Sequence, residues 1–247
     1  GVDPFWSGPM ADRYSGFAAL RNEDPIRFFA EMETDFLPAG PGYWAITRHA
    51  DVIEASRHPE WFCSGEGTNI TDLPPEFREF FGSMISMDDP RHARLRKVVS
   101  AGFTPRMMRS LEDGVERTAV AIVDGVAERG GCDFVTEVAA RLPLAIICDM
   151  MGIAPDRYDE VFNHSNVALS QGDPEYIAED ADPLEALLGA GAGLAAIMHE
   201  TAEDRRGGDG QDLTSLLVNA EVDGERLTSD ELASFFVLLC VAGNETT

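Results

Sequence analysis

Basic residues are scarce in this sequence: 19 lysines and arginines stand against 44 aspartates and glutamates, for a formal net charge of -25. Such a surface repels a phosphate backbone, which excludes a general nucleic-acid binder. Cysteine is also sparse. The four cysteines, Cys63, Cys132, Cys148 and Cys240, form no CxxC pair and have no histidine at zinc-ligand spacing. Cys148 and Cys240 lie in apolar runs, where a free thiol behaves as a small hydrophobe, a pattern suited to a reducing cytoplasm. No charged-then-apolar leader opens the chain and no apolar run has the length of a bilayer span, so no membrane insertion is expected. Internal repeats and low-complexity tracts are lacking too.

What the sequence does hold is a 44% hydrophobic share over 247 residues, enough to bury a sizeable core. Helical periods punctuated by Gly and Pro predict a mainly α architecture with minor β. Helices are expected over residues 13–32, 50–57, 88–101, 105–129, 137–151, 155–169 and 183–206, with a strand over residues 43–47. Residues 58–87 read as an irregular segment. Thr228 and Glu231 have capping-box spacing and open a further helix. Its body, Leu232 to Val241, is apolar on nearly every face, which predicts an interior course.

Two constellations carry chemistry. His92 and Arg96 are four residues apart and project from one helix face, a pair able to grip an anion. They belong to a basic cluster of Arg91, Arg94, Arg96, Lys97, Arg106 and Arg109, six of the chain's 19 basic residues. The plainer reading is a solvated basic helix paired with acidic neighbours. The second constellation is Ala242-Gly-Asn-Glu-Thr-Thr247. Either Gly243 and Asn244 end the apolar helix, or the helix continues and delivers the Glu245 carboxylate and Thr246 hydroxyl to a buried site as a proton relay.

These elements, in this order, resemble the cytochrome P450 family, and its soluble bacterial branch in particular. The resemblance runs nearly the whole chain: Gly42-Tyr-Trp-Ala-Ile-Thr-Arg, Ala50-Asp-Val-Ile-Glu-Ala, the Met87 to Lys97 segment, Gly102-Phe-Thr-Pro-Arg and the closing hexapeptide. It implies a single P450 domain over residues 1–247, incomplete in this chain, that binds haem b. His92 and Arg96 would hold the haem propionates, Ala242 and Gly243 would lie against the distal porphyrin face, and Glu245 and Thr246 would serve oxygen activation, with Thr247 in support. The implied reaction inserts one atom of O2 into an apolar substrate, a sterol, lipid or terpenoid before a polyketide or other natural product. A ferredoxin-type partner would supply electrons, docking on Arg91, Arg94, Lys97, Arg106 and Arg109, to a cytoplasmic monomer. Phe77, Phe80, Phe81, Met84 and Ile85 fall in a segment that would roof the pocket.

The family's iron-ligating cysteine sits in a Phe- and Gly-rich loop, and none of the four cysteines has that context. The ligand is therefore expected beyond residue 247, which would leave these residues alone inactive. Glu203-Asp-Arg-Arg206 matches the family's Glu-x-x-Arg motif by letters only. Two other classes remain open on residues alone: a non-catalytic helical haem- or lipid-binding protein, which would not need Glu245 and Thr246, and an acidic interaction module without haem.

Overall fold

The computed structural model describes residues 4–31, 39–70, 73–170, 173–221 and 224–247, apart from the side chains of Pro4, Glu76, Arg106, Ser110, Asp113 and Glu245. The chain divides into two compact units, Gly1–Pro75 and Glu76–Thr247.

In the first unit, α1 (Pro4–Ser7) and α2 (Met10–Glu23) precede a two-stranded antiparallel sheet of β1 (Ile26–Phe29) and β2 (Tyr43–Ile46), followed by α3 (His49–Arg57). Ile26 pairs with Ile46 and Phe29 with Tyr43. The helix expected to run to residue 32 therefore stops at Glu23. Pro25 disfavours helical geometry at Asp24 before it, and Ile26 to Phe29 gain cross-strand partners, with Phe28 packing edge-on against Trp44. Met32 itself lies outside the described residues.

The regular elements described in the second unit are helical. The stretch expected to be irregular contains α4 (Pro75–Gly82) and a 3-10 turn, Ser83–Ser86, so among its described residues the irregular chain is limited to residues 58–70, 73–74 and 87. Next come α5 (Arg91–Gly102), α6 (Pro105–Ala127), a π-turn at Val135–Ala139, α7 (Arg141–Met151) and α8 (Tyr158–Leu169). The long α9 (Pro183–Arg205), the short α10 (Leu213–Asn219) and α11 (Ser229–Glu245) complete it. The sequence reading did not anticipate α10. It is seven residues long and is held by its Asp212 N-cap, which accepts from the Ser215 amide at 2.8 Å.

The core sits where α11 crosses α7, α8 and α9. Phe236, Leu144, Met151, Leu194, Ile197 and Met198 are almost wholly removed from solvent. Burying each large apolar side chain contributes about 1.5–3 kcal/mol relative to exposure, so α11 owes its interior course to its apolar body. Its entry is fixed by the capping box. The Glu231 amide donates to Thr228 Oγ1 at 3.1 Å, and the Thr228 amide donates to Glu231 Oε2 at 2.9 Å.

Candidate functional site

The helix does not end at Gly243. Helical backbone runs through Gly243 and Asn244 to Glu245, with Thr246 as the C-cap, so the glycine serves a purpose other than termination. A Cβ at Gly243 would stand 2.9 Å from Ile147 Cδ1, which makes the close approach one between α11 and α7. This packing contact gives a reason for glycine in addition to the expected one, close approach of a flat ligand.

The faces of this last turn divide cleanly. Ala242 and Thr246, one turn apart, are both exposed, whereas Asn244 between them is buried. The Thr246 hydroxyl donates to the Ala242 carbonyl at 2.5 Å, and the Thr247 hydroxyl to the Gly243 carbonyl at 2.9 Å. With its proton committed to the backbone, the Thr246 oxygen keeps its lone pairs free to accept a hydrogen bond from the open side. Asn244 is 7% exposed and its Oδ1 has no hydrogen-bond partner among the described residues. A buried acceptor left this way costs about 1–3 kcal/mol. Glu245 continues the helix, but its side chain lies outside the described set.

His92 and Arg96 share a face of α5, as their spacing predicts. Leu95, Val98 and Val99 of the same helix are buried beside them. The His92 ring approaches Asp89 Oδ1 at 3.5 Å. Arg96 is exposed and has no ion pair or hydrogen bond among the described residues. Its neighbours differ: Arg91 is paired with Glu79, and Arg94 with Glu225 and Glu231. The basic cluster is thus partly neutralised internally, with Arg91 still exposed and Arg94 the more shielded of the two. Arg109 is exposed, and the Arg106 side chain is outside the described set.

This donor set fits haem. An unpaired guanidinium one turn from an imidazole supplies two cationic or hydrogen-bonding groups for carboxylates. The apolar body of α11 is buried, and Ala242 and Thr246 on its last described turn present an exposed methyl and a hydroxyl with acceptor capacity. Burial pushes the Cys148 thiol up to about 12 and the Cys240 thiol upward as well, the reverse of what a metal-bound sulfur requires, so neither buried cysteine is set up to ligate iron. Among the described residues no three His, Cys, Asp or Glu side chains are grouped to hold a metal ion. Phe80, Phe81 and Met84 pack against the core while Ile85 is half exposed. An open groove of about 640 Å³ along α6 and α7, walled by Ala121, Ile122, Val126 and Leu144, includes none of the expected site residues.

Known proteins resemble this chain along nearly its whole length. The chain is 47% identical over 246 residues to a methyl-branched lipid omega-hydroxylase of Mycobacterium tuberculosis, covering 98% of this chain and 56% of that one. It is 37% identical over 241 residues to a steroid C26-monooxygenase of Mycolicibacterium smegmatis, covering 93% of this chain and 54% of that one. A Mycobacterium marinum cytochrome P450 solved in complex with pseudoionone superposes with a TM-score of 0.85 at 40% identity, over 98% of this chain and 59% of that chain. The chain belongs to the cytochrome P450 family. No protein-family profile matches it. This P450 chain spans about half the length of the curated relatives it matches. The mainly α fold with its small antiparallel sheet is the P450 fold as far as the chain extends. Among the described residues, no helix is long and apolar enough to cross a membrane.

The Arg94 pairing and the inward turn of Asn244 were missed at the sequence level. Glu231 was legible as a capping residue, but nothing local marks a partner 137 residues away.

Proposed function

We propose that this chain is part of a haem-thiolate monooxygenase that inserts one oxygen atom from O2 into an apolar, lipid-like substrate. The observation that carries the reading is the pairing of Ala242 with Thr246 on one exposed face of α11, a helix whose apolar body is buried in the core. Relatives named as a methyl-branched lipid hydroxylase and a steroid monooxygenase support a lipid or sterol over a polar substrate.

Haem b, bound with a thiolate on its iron, would supply the oxidising chemistry. The protein's part is placement and proton management. His92 and Arg96 would hold the two carboxylates through charge-assisted contacts and set the ring's orientation. Ala242 and the Gly243 backbone would border its distal face, a methyl leaving room that a larger side chain would fill. Thr246 Oγ1, already donating to Ala242, would accept a hydrogen bond from a water or protonated group on the open side, and Glu245 would supply the proton. A ferredoxin-type donor fits the family, and the exposed Arg109 and its neighbours would contribute to its docking. The reading includes a cytoplasmic monomer.

The carbon monoxide difference spectrum of the complete, reduced protein tests this directly. A spectrum of thiolate-ligated haem is expected, together with hydroxylation of a branched-chain lipid or sterol when electrons are supplied. A protein that takes up haem without that spectrum would overturn the reading.

A further inference from the structure

Arg94 lies between His92 and Arg96 in sequence yet points away from them, since two residues turn a helix by more than half a revolution. Its guanidinium reaches the start of α11. Nε stands 3.3 Å from Glu225 Oε2, and an Nη hydrogen-bonds Glu231 Oε1. Glu231 is used twice, because its other oxygen accepts from the Thr228 amide in the capping box. The pair is well shielded, with side-chain exposures of 30% for Arg94 and 14% for Glu231.

Two further polar ties converge there. Arg91 pairs with Glu79 of α4, with Nη1 to Oε2 at 2.9 Å. The Ser234 hydroxyl of α11 lies 3.1 and 2.9 Å from the Glu79 and Phe80 carbonyl oxygens. The apolar contacts of α5, with Leu95, Val98 and Val99 inward, are non-directional and leave the helix free to roll about its axis. A guanidinium fork between two carboxylates is directional. It stops the roll.

We propose that Arg94 is a positioning residue: through Glu231 it locks the rotation of α5 against α11, and so aims His92 and Arg96 at the haem carboxylates. This rests on the haem-binding role proposed above. It also moves Arg94 from partner docking to an internal task. A roll of 10–20° is about the tolerance of a bound constellation, so loss of the fork should appear in haem retention as well as in fold stability.

The control is built into the same unit. Arg205 pairs with Asp212, the N-cap of α10, at 3.2 Å and with closely similar exposures of 35% and 16%. In the complete haem-loaded protein, Arg94→Gln and Arg205→Gln should lower the apo-protein melting temperature by similar amounts. Only Arg94→Gln should accelerate haem transfer to an excess of apoglobin, by about tenfold. Glu231→Gln keeps the capping acceptor but not the charge, and should reproduce the effect. The double variant with Arg94→Gln should lose haem no faster than Arg94→Gln alone, and Arg94→Lys should recover part of the retention. Equal haem loss from Arg94→Gln and Arg205→Gln, or additive loss in the double variant, would overturn the proposal. So would an Arg94→Gln defect confined to partner-driven reduction. A wild-type protein that binds no haem would instead bring down the functional reading on which this rests.

Discussion

The Thr246 hydroxyl and the Ala242 carbonyl are joined by a 2.5 Å hydrogen bond across the last turn of α11, on the face that the core leaves open. This bond fixes which way the hydroxyl acts. Its hydrogen is spent on the backbone, and its oxygen remains an acceptor toward the solvent side. Thr246→Ala removes the acceptor while keeping the helix. The expected outcome in the complete enzyme is a large fall in product formed per electron consumed, on the order of 10²-fold in the productive step, with substrate affinity nearly unchanged. Thr246→Ser should retain most of the coupling. Product and peroxide measured against electrons consumed decide it.

Arg96 is exposed and has no partner among the described residues, so its loss should be nearly silent in the fold. Arg96→Leu and His92→Leu are expected to weaken haem binding by roughly 10- to 100-fold each, the range of a hydrogen bond to a charged group. The apo-protein melting temperature should move by only a degree or two. Haem titration beside thermal melts of the apo form separates the two effects.

Gly243 faces Ile147, whose Cδ1 would lie 2.9 Å from an added Cβ. Gly243→Ala sets a helix-propensity gain of about 1 kcal/mol against overpacking of about 1–3 kcal/mol. A net destabilisation of about 1 kcal/mol is expected. Pairing it with Ile147→Val, which removes the offending methyl, should restore the loss. Melting temperatures of the four proteins in that cycle test the assignment of this glycine to helix packing.

Cys148 and Cys240 are buried, and Cys63 and Cys132 are exposed. Desolvation raises the Cys148 thiol to about 12 and shifts Cys240 in the same direction. At mildly alkaline pH an aromatic disulfide reagent should therefore modify Cys63 and Cys132 quickly, and Cys148 and Cys240 only after denaturation. Peptide mapping of the labelled protein reads this out. Fast labelling of Cys148 in the native state would contradict the packing of α7 against α11.

Arg157 ties α8 to α9, with Nε 2.6 Å from Glu160 and Nη1 2.7 Å from Glu200. The guanidinium holds the Glu160 carboxyl below its ordinary value of 4.5. A lowered folded-state value means that the pair stabilises the protein above 4.5, and that this contribution is lost as pH falls through the folded value. Both groups are partly exposed, so the contribution is about 1 kcal/mol or less. Arg157→Gln should thus melt lower than the parent at neutral pH and converge with it in acid. A gap that persists well below pH 4.5 would place the effect elsewhere.

The sequence by itself determined the elements whose causes are local. The Thr228 and Glu231 capping box, the apolar body of α11, the spacing of His92 and Arg96 and the burial of Cys148 and Cys240 all follow from side-chain chemistry within a few residues. Local signals failed where two readings competed. Residues 26–29 became a strand because β2 offered a partner, and Gly243 with Asn244 stayed helical because Ile147 and the core fill the space around them. Only the tertiary structure paired Arg94 with Glu231, left Arg96 without a partner among the described residues, and turned Asn244 inward while exposing Ala242 and Thr246. The physical reason is that a helix's period sets which residues share a face, whereas the neighbours packed around it decide which face is buried, which is charged and which is left for a ligand.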